Sequence, residues 1–228
     1  MADKRRTPGV EQIVDEQIRR WEILKKERER EVQLPVLTLS REAGSKGTRL
    51  AELLAEDLGF DLFHQNIVHR MAESAKLSAR LIESLDEEGM SIVKEWLTGF
   101  SEGFWPDQYL KQLVKVVGTM GKQGRAVIIG RGAHFILPLR RCFRVRVVAP
   151  AKMRIAQLAE EHELSKPEAE RLMVKTDSER RAFIRQHFHT DIADPHNYDL
   201  VLSMERLSLQ NAVQTVRSCM ERLAQEQR

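Results

Sequence analysis

Four short apolar runs restrict the fold more than anything else in this chain: VLTLS at 36–40, AVIIG at 126–130, FRVRVVA at 143–149 and DLVLS at 199–203. Each is too short and too apolar for a surface helix, and each reads as a strand buried in a sheet. The intervening stretches carry apolar residues at steps of three and four. Leu50, Leu53, Leu54 and Leu58 mark a helix over 47–58 that Gly59 stops. Further helical patterns cover about 65–76, 77–86, 89–98, 107–123, 151–162, 165–174, 176–188 and 207–225, and a fifth strand is expected near Asp61–Phe63. Strands separated by helices pair in parallel through crossovers, so the expected class is three-layer α/β with a parallel central sheet.

Composition narrows the partners. The 228 residues are 42% hydrophobic and 31% charged, which suits one globular, soluble core. A net charge of +3 is too small to argue for nucleic acid. Cys142 and Cys219 fit no metal spacing and no disulfide framework, which points to a reducing, cytoplasmic setting. No run approaches the roughly 20 apolar residues of a membrane span, and no apolar stretch follows Lys4, Arg5 and Arg6, so neither membrane nor signal peptide is expected. Before the first strand, Val10, Ile13, Val14, Ile18, Trp21 and Leu24 form a helical stripe, followed by the solvated KKERERE. The segment 1–34 is thus expected to be a helical extension of a main domain at 35–228. It packs either on that domain or on a second copy of the chain as a homodimer contact.

The stretch SREAGSKGT at 40–48 follows the first strand and leads into a helix. It approximates the phosphate loop G-x-x-x-x-G-K-[ST], with Arg41 in place of the first glycine and Lys46-Gly47 transposed. The physical parts are present. Gly44 and Gly47 permit close backbone approach, the helix start offers N–H groups to an anion, Ser45 and Thr48 offer hydroxyls to phosphate or magnesium, and Lys46 and Arg49 offer cations. Phosphoryl transfer requires cations around the migrating group and exclusion of water. Arginines occur where such chemistry would use them: Arg70 on an early helix, Arg131 directly after AVIIG, and Arg180, Arg181 and Arg185 in KTDSERRAFIRQHF. A charge just past a buried strand should face a cleft, so Arg131 stands out.

Four stretches together, SREAGSKGT, GFDLFHQNIVHRMAE, VIIGRGAHFIL and KTDSERRAFIRQHFHTDIADPHNYDLVLS, make the chain resemble the cytidylate kinase-like family of P-loop nucleoside monophosphate kinases, from about Pro35 to Val216. The resemblance implies a P-loop kinase fold with a helical lid at about 175–194, ATP as phosphoryl donor, Mg2+, and a nucleoside monophosphate acceptor, CMP or dCMP first. It implies that residues 44–49 hold the donor, with Thr48 or Ser45 at the metal. Arg70, Arg131 and Asp177 fall at the acceptor. Lys46, Arg180, Arg181 and Arg185 screen the transferring phosphate. The chain departs from true cytidylate kinases where Gly132 replaces the Asp that reads cytosine, and where His64 replaces another Asp near the acceptor. Two alternatives stay open: a nucleotide-binding regulatory protein with little turnover, and a kinase of another small metabolite. His187 and His189 with Asp191 and Asp194 read as a polar end of the lid rather than a metal site. Trp96, Phe100, Phe104 and Trp105 read as a core or subunit contact.

Overall fold

A computed structural model describes residues 9–25, 34–99 and 108–226, with the side chains of 24, 25 and 96–99 excepted. The expected aromatic contact of Trp96, Phe100, Phe104 and Trp105 therefore lies outside the described side chains. The chain forms two compact units, one from the described residues of 1–33 and 66–123, the other from those of 34–65 and 124–228.

The second unit is built on a sheet of five strands: β1 (Val36–Arg41), β2 (Asp61–Phe63), β3 (Ala126–Ile129), β4 (Cys142–Val148) and β5 (Leu200–Ser203). They pair in parallel in the order β2-β3-β1-β4-β5. All four anticipated strands form, and so does the short one at 61–63. Side chains alternate across β1 and β4. Leu37, Leu39, Val145 and Val147 join Leu50 and Leu54 of α2 (Gly47–Leu58) and Val216 and Met220 of α10 (Leu209–Glu226) in one buried cluster. Each fully buried leucine of this kind stabilises by about 2 kcal/mol. The opposite alternation points Thr38, Ser40, Arg144 and Arg146 the other way. Arg144 donates to Asp199 at 2.7 Å, and the Asp199 carboxylate also accepts the Arg144 backbone N–H at 2.8 Å. This pair anchors the segment entering β5.

After β3 comes a four-residue helix, α7 (Ala133–Ile136), which the sequence pattern does not anticipate. Past β4, α8 (Ala151–His162) and α9 (Lys166–Phe188) pack on each other through Leu158, Ala169 and Met173. The two helices expected at 165–174 and 176–188 are one. No glycine or proline interrupts Lys175-Thr176, and a capping box of Ser165 and Glu168 starts the helix once.

The first unit is helical: α1 (Val10–Lys25), the body of α3 (Gln65–Glu73), α4 (Ala75–Glu83), α5 (Glu87–Gly99) and α6 (Gln108–Gln123). The α1 stripe is buried at Val10, Val14, Gln17 and Trp21, and Asp15 pairs with Arg80 of α4. Among the described residues, no helix is long and apolar enough to cross a membrane.

Candidate phosphoryl-transfer site

In open parallel sheets ligands gather at the carboxyl ends of the strands, beside the point where the order reverses. Here that point is β1, flanked by β3 and β4. Three segments leave the sheet there: the loop 42–46 after β1, the turn 130–132 after β3 and the start of α8 after β4.

The loop's geometry explains its spelling. Gly44 has φ +73°, and a Cβ there would stand 2.4 Å from the Arg154 carbonyl oxygen, so only glycine fits. Lys46 takes the other left-handed position, φ 63°, at roughly 1–2 kcal/mol of local strain. Gly47 has ordinary backbone, but a Cβ on it would meet the Arg41 Cβ at 2.6 Å. The two departures from the phosphate-loop pattern are thus linked: the arginine stem fills the room that a side chain at 47 would need. The α2 N–H groups start at this loop. The first to bond back is that of Leu50, to the Lys46 carbonyl at 2.9 Å, so those before it have no acceptor within the helix.

A cavity of about 330 Å3 opens over this N-terminus, lined by residues 41–49, Leu158, Glu161, His162, Leu172, Thr176 and Arg180. Lys46 is exposed at its rim. Thr48 is half-buried. Ser45 is buried, and its hydroxyl donates to the Glu42 carbonyl at 2.9 Å, which leaves Thr48 as the more open hydroxyl. Arg49 lines the cavity but ion-pairs outward with Glu52 at 2.8 Å.

Asp177, which the resemblance puts at the acceptor, braces the loop here. One carboxylate oxygen accepts the Ala43 N–H at 2.8 Å, and the other pairs with Arg154 at 2.5 Å. Arg180 lies 3.7 Å from the same carboxylate and donates to the Arg41 carbonyl at 3.0 Å. Glu42 completes the brace, accepting from the Ala149 N–H at 3.2 Å and pairing with Arg154 at 3.5 Å. Of Arg180, Arg181 and Arg185, only Arg180 is partly buried. Arg181 lines a small cleft with Arg146 and Asp177 but is exposed, and Arg185 is exposed.

On the β3 side, Gly130, Arg131 and Gly132 are consecutively left-handed, with φ 74°, 52° and 67°. For Arg131 this strain persists only because its surroundings dictate it, and such strain gathers at functional positions. Its guanidinium lies over the Phe183 ring of α9 at 4.9 Å. A Cβ on Gly132 would stand 2.2 Å from the Phe188 ring, which itself stacks on Phe135 at 5.1 Å. A side chain on Gly132 would require the Phe188 ring to move. Arg70 belongs to the other unit, exposed on α3 in a cleft with Glu73, Leu77 and the start of α1. His64 is half-buried.

The sequence pattern passed over several residues that the fold brings to this edge. Arg41 is 9% exposed and donates to Gln65 at 3.0 Å. Burial first, then Arg180 and Arg131 nearby, push its guanidinium down to about 9. Arg146 is buried and donates to Ser40 at 3.0 Å. The Tyr198 hydroxyl reaches Ser40 at 3.2 Å and donates to the Ile192 carbonyl at 2.8 Å, and burial raises its pKa. The period-two arginines of FRVRVVA were the available signal for Arg146. A charge at the last position of β1 was the signal for Arg41.

The family model for the cytidylate kinase-like family matches residues 36–206. Among solved structures, an uncharacterized protein from Eubacterium ventriosum ATCC 27560 is similar at 16% identity and TM-score 0.58, over 82% of this chain and 98% of that one. A shikimate kinase from Bacteroides thetaiotaomicron is similar at 14% identity and TM-score 0.46, over 82% of this chain and 99% of that one. No curated protein matches.

Proposed function

Because the chain belongs to the cytidylate kinase-like family, we propose that it is an ATP-dependent phosphotransferase acting on a small acceptor that carries its own anionic group. One observation carries this reading: the loop that ends in an open helix N-terminus and the strained Arg131 stand at the ends of neighbouring strands β1 and β3. Donor phosphates would lie on the backbone amides of 45–48, with Lys46 at the rim and the Thr48 hydroxyl toward the metal. Mg2+, when bound, would neutralise charge on the donor phosphates. Arg180, held at the loop, would screen the migrating group and Arg131 would hold the anionic group of the acceptor, while α9 keeps water from the transfer. In-line transfer of this kind needs no strong general base.

CMP and dCMP are the acceptors that the family likeness implies, with Arg70 as a further phosphate contact. Gly132, beside which the Phe188 ring stands, favours the second reading, a kinase of another small metabolite. The test is ADP formation by purified protein with magnesium across a panel of nucleoside monophosphates and small phosphate esters. Arg131→Ala should lower acceptor-dependent turnover by roughly 10²-fold, the scale of one preorganised cationic donor, and change ATP affinity less than about threefold. A mutant that loses ATP binding but keeps its acceptor preference would put the acceptor elsewhere. The helix at 10–25 as a homodimer contact is tested separately by sedimentation.

A further inference from the structure

Next to the donor cavity, with which it shares Arg41 and Arg180, a small pocket gathers three arginines from three elements: Arg41 at the end of β1, Arg131 after β3 and Arg180 on α9. No carboxylate lines it among the described residues. The nearest one, Asp177, lies 3.7 Å from Arg180 and is already committed to Ala43 and Arg154. The Nε atoms of all three arginines are buried with no hydrogen-bond acceptor, and so is Nε2 of His134, which lines the same pocket and is 6% exposed. Burying like charges together with unmet donors is costly unless an anion completes the set.

We propose that this pocket is a receptor for one phosphoryl group of the acceptor, and that the acceptor is a compact phosphate monoester without a nucleobase. The proposal rests on the kinase reading above and names its substrate class. Three donors converging from three directions match the peripheral oxygens of a tetrahedral dianion better than a planar carboxylate. About 30 Å3 of the pocket is free, room for two or three water-sized groups, so a bound phosphoryl group would fill it and leave no place for a base inside. The Phe188 ring stands where a side chain on Gly132 would go, and the Phe183 ring lies over the Arg131 guanidinium, so aromatic rings flank this end of the pocket. Arg41, which spoils the glycine pattern of the phosphate loop, is in this reading a specificity-determining residue for the acceptor.

Isothermal titration decides it, with inorganic phosphate, glycerol phosphate and CMP as probes, and with ATP titrated in parallel. Phosphate and glycerol phosphate should bind the wild type. Arg41→Gln and Arg131→Gln should each weaken both by about tenfold or more. Any phosphate held at the loop 44–48 is recognised separately, because Lys46→Ala weakens that event and leaves the Arg41-dependent one. Melting temperatures guard against misfolding. Arg41→Lys keeps the charge and the stem should Arg41→Gln fail to fold, and Arg131 is only half-buried. Phosphate affinity unchanged in both glutamine variants, or weakened only by Lys46→Ala, would overturn the pocket. CMP bound as tightly as glycerol phosphate, with the same dependence on Arg41, would overturn the base-free acceptor. If ATP fails to bind the wild type while phosphate still requires Arg41, the kinase reading falls and the anion pocket stands.

Discussion

Arg41 and Gly47 compete for one small volume between β1 and α2, and this local geometry can be measured. Gly47→Ala alone drives a methyl into the Arg41 stem and should cost about 1–3 kcal/mol by overpacking. In an Arg41→Gly background the same change should cost less, giving a coupling of about 1 kcal/mol or more in a double-mutant cycle read by urea denaturation. Additive effects would show that the two departures are independent. The sequence displays both departures but not their connection, since the 2.6 Å approach of two Cβ positions across a turn leaves no trace in spacing. His134 gives a second measurement at this scale. Burial first, then Arg144 and Arg146 nearby, hold its imidazole at about 3 rather than near 6.5. The folded value lies below the unfolded one, so this contribution to stability is full above about pH 6.5 and is lost as pH falls toward 3. Unfolding free energy should drop by up to about 1.4 kcal/mol per pH unit in that window. His134→Gln should flatten the slope, and an equal slope in wild type and variant would assign the acid sensitivity to other groups.

At the scale of elements, α9 is where pattern reading and structure differ most. The apolar steps on either side of Lys175 suggested two helices, yet with no breaking residue between them the backbone has no reason to interrupt its hydrogen bonds. Fused, the helix is long enough to carry both Asp177 to the loop and Phe183 and Phe188 to the β3 turn. Asp177→Ala would leave the Ala43 N–H without its acceptor and Arg154 with Glu42 as its remaining carboxylate. It should cost about 1.5–3 kcal/mol, the range for hydrogen bonds to charged groups. Deuterium exchange at the Ala43 amide and proteolysis within 166–188 should both quicken. Unchanged exchange at Ala43 would mean that the brace is not maintained in solution. β4 was legible as a strand for its valines, while its two arginines were the clue to which face is polar. Read at period two, Arg144 and Arg146 fall opposite Val145 and Val147, where the structure has them.

At the scale of the molecule, the strand count and the parallel pairing were legible because each depends on local patterns: short apolar runs and helical steps. The grouping of 66–123 with the N-terminal helix was not, because contacts between distant segments have no spacing to read. Within that unit Trp21 is 3% exposed, so Trp21→Ala should cost about 3–5 kcal/mol in chemical denaturation. A loss under 1 kcal/mol would detach α1 from the fold. The order of the sheet also has a consequence for how such a chain diversifies. The phosphate-side loop after β1 and the turn after β3 hang from adjacent strands held about 4.8 Å apart by ladder hydrogen bonds. In the proposed reading, the gap between giver and receiver is therefore set by the lattice of the backbone, not by any side chain. The walls of the receiving pocket are free to drift toward new metabolites while the stride across which a phosphate must step stays the same.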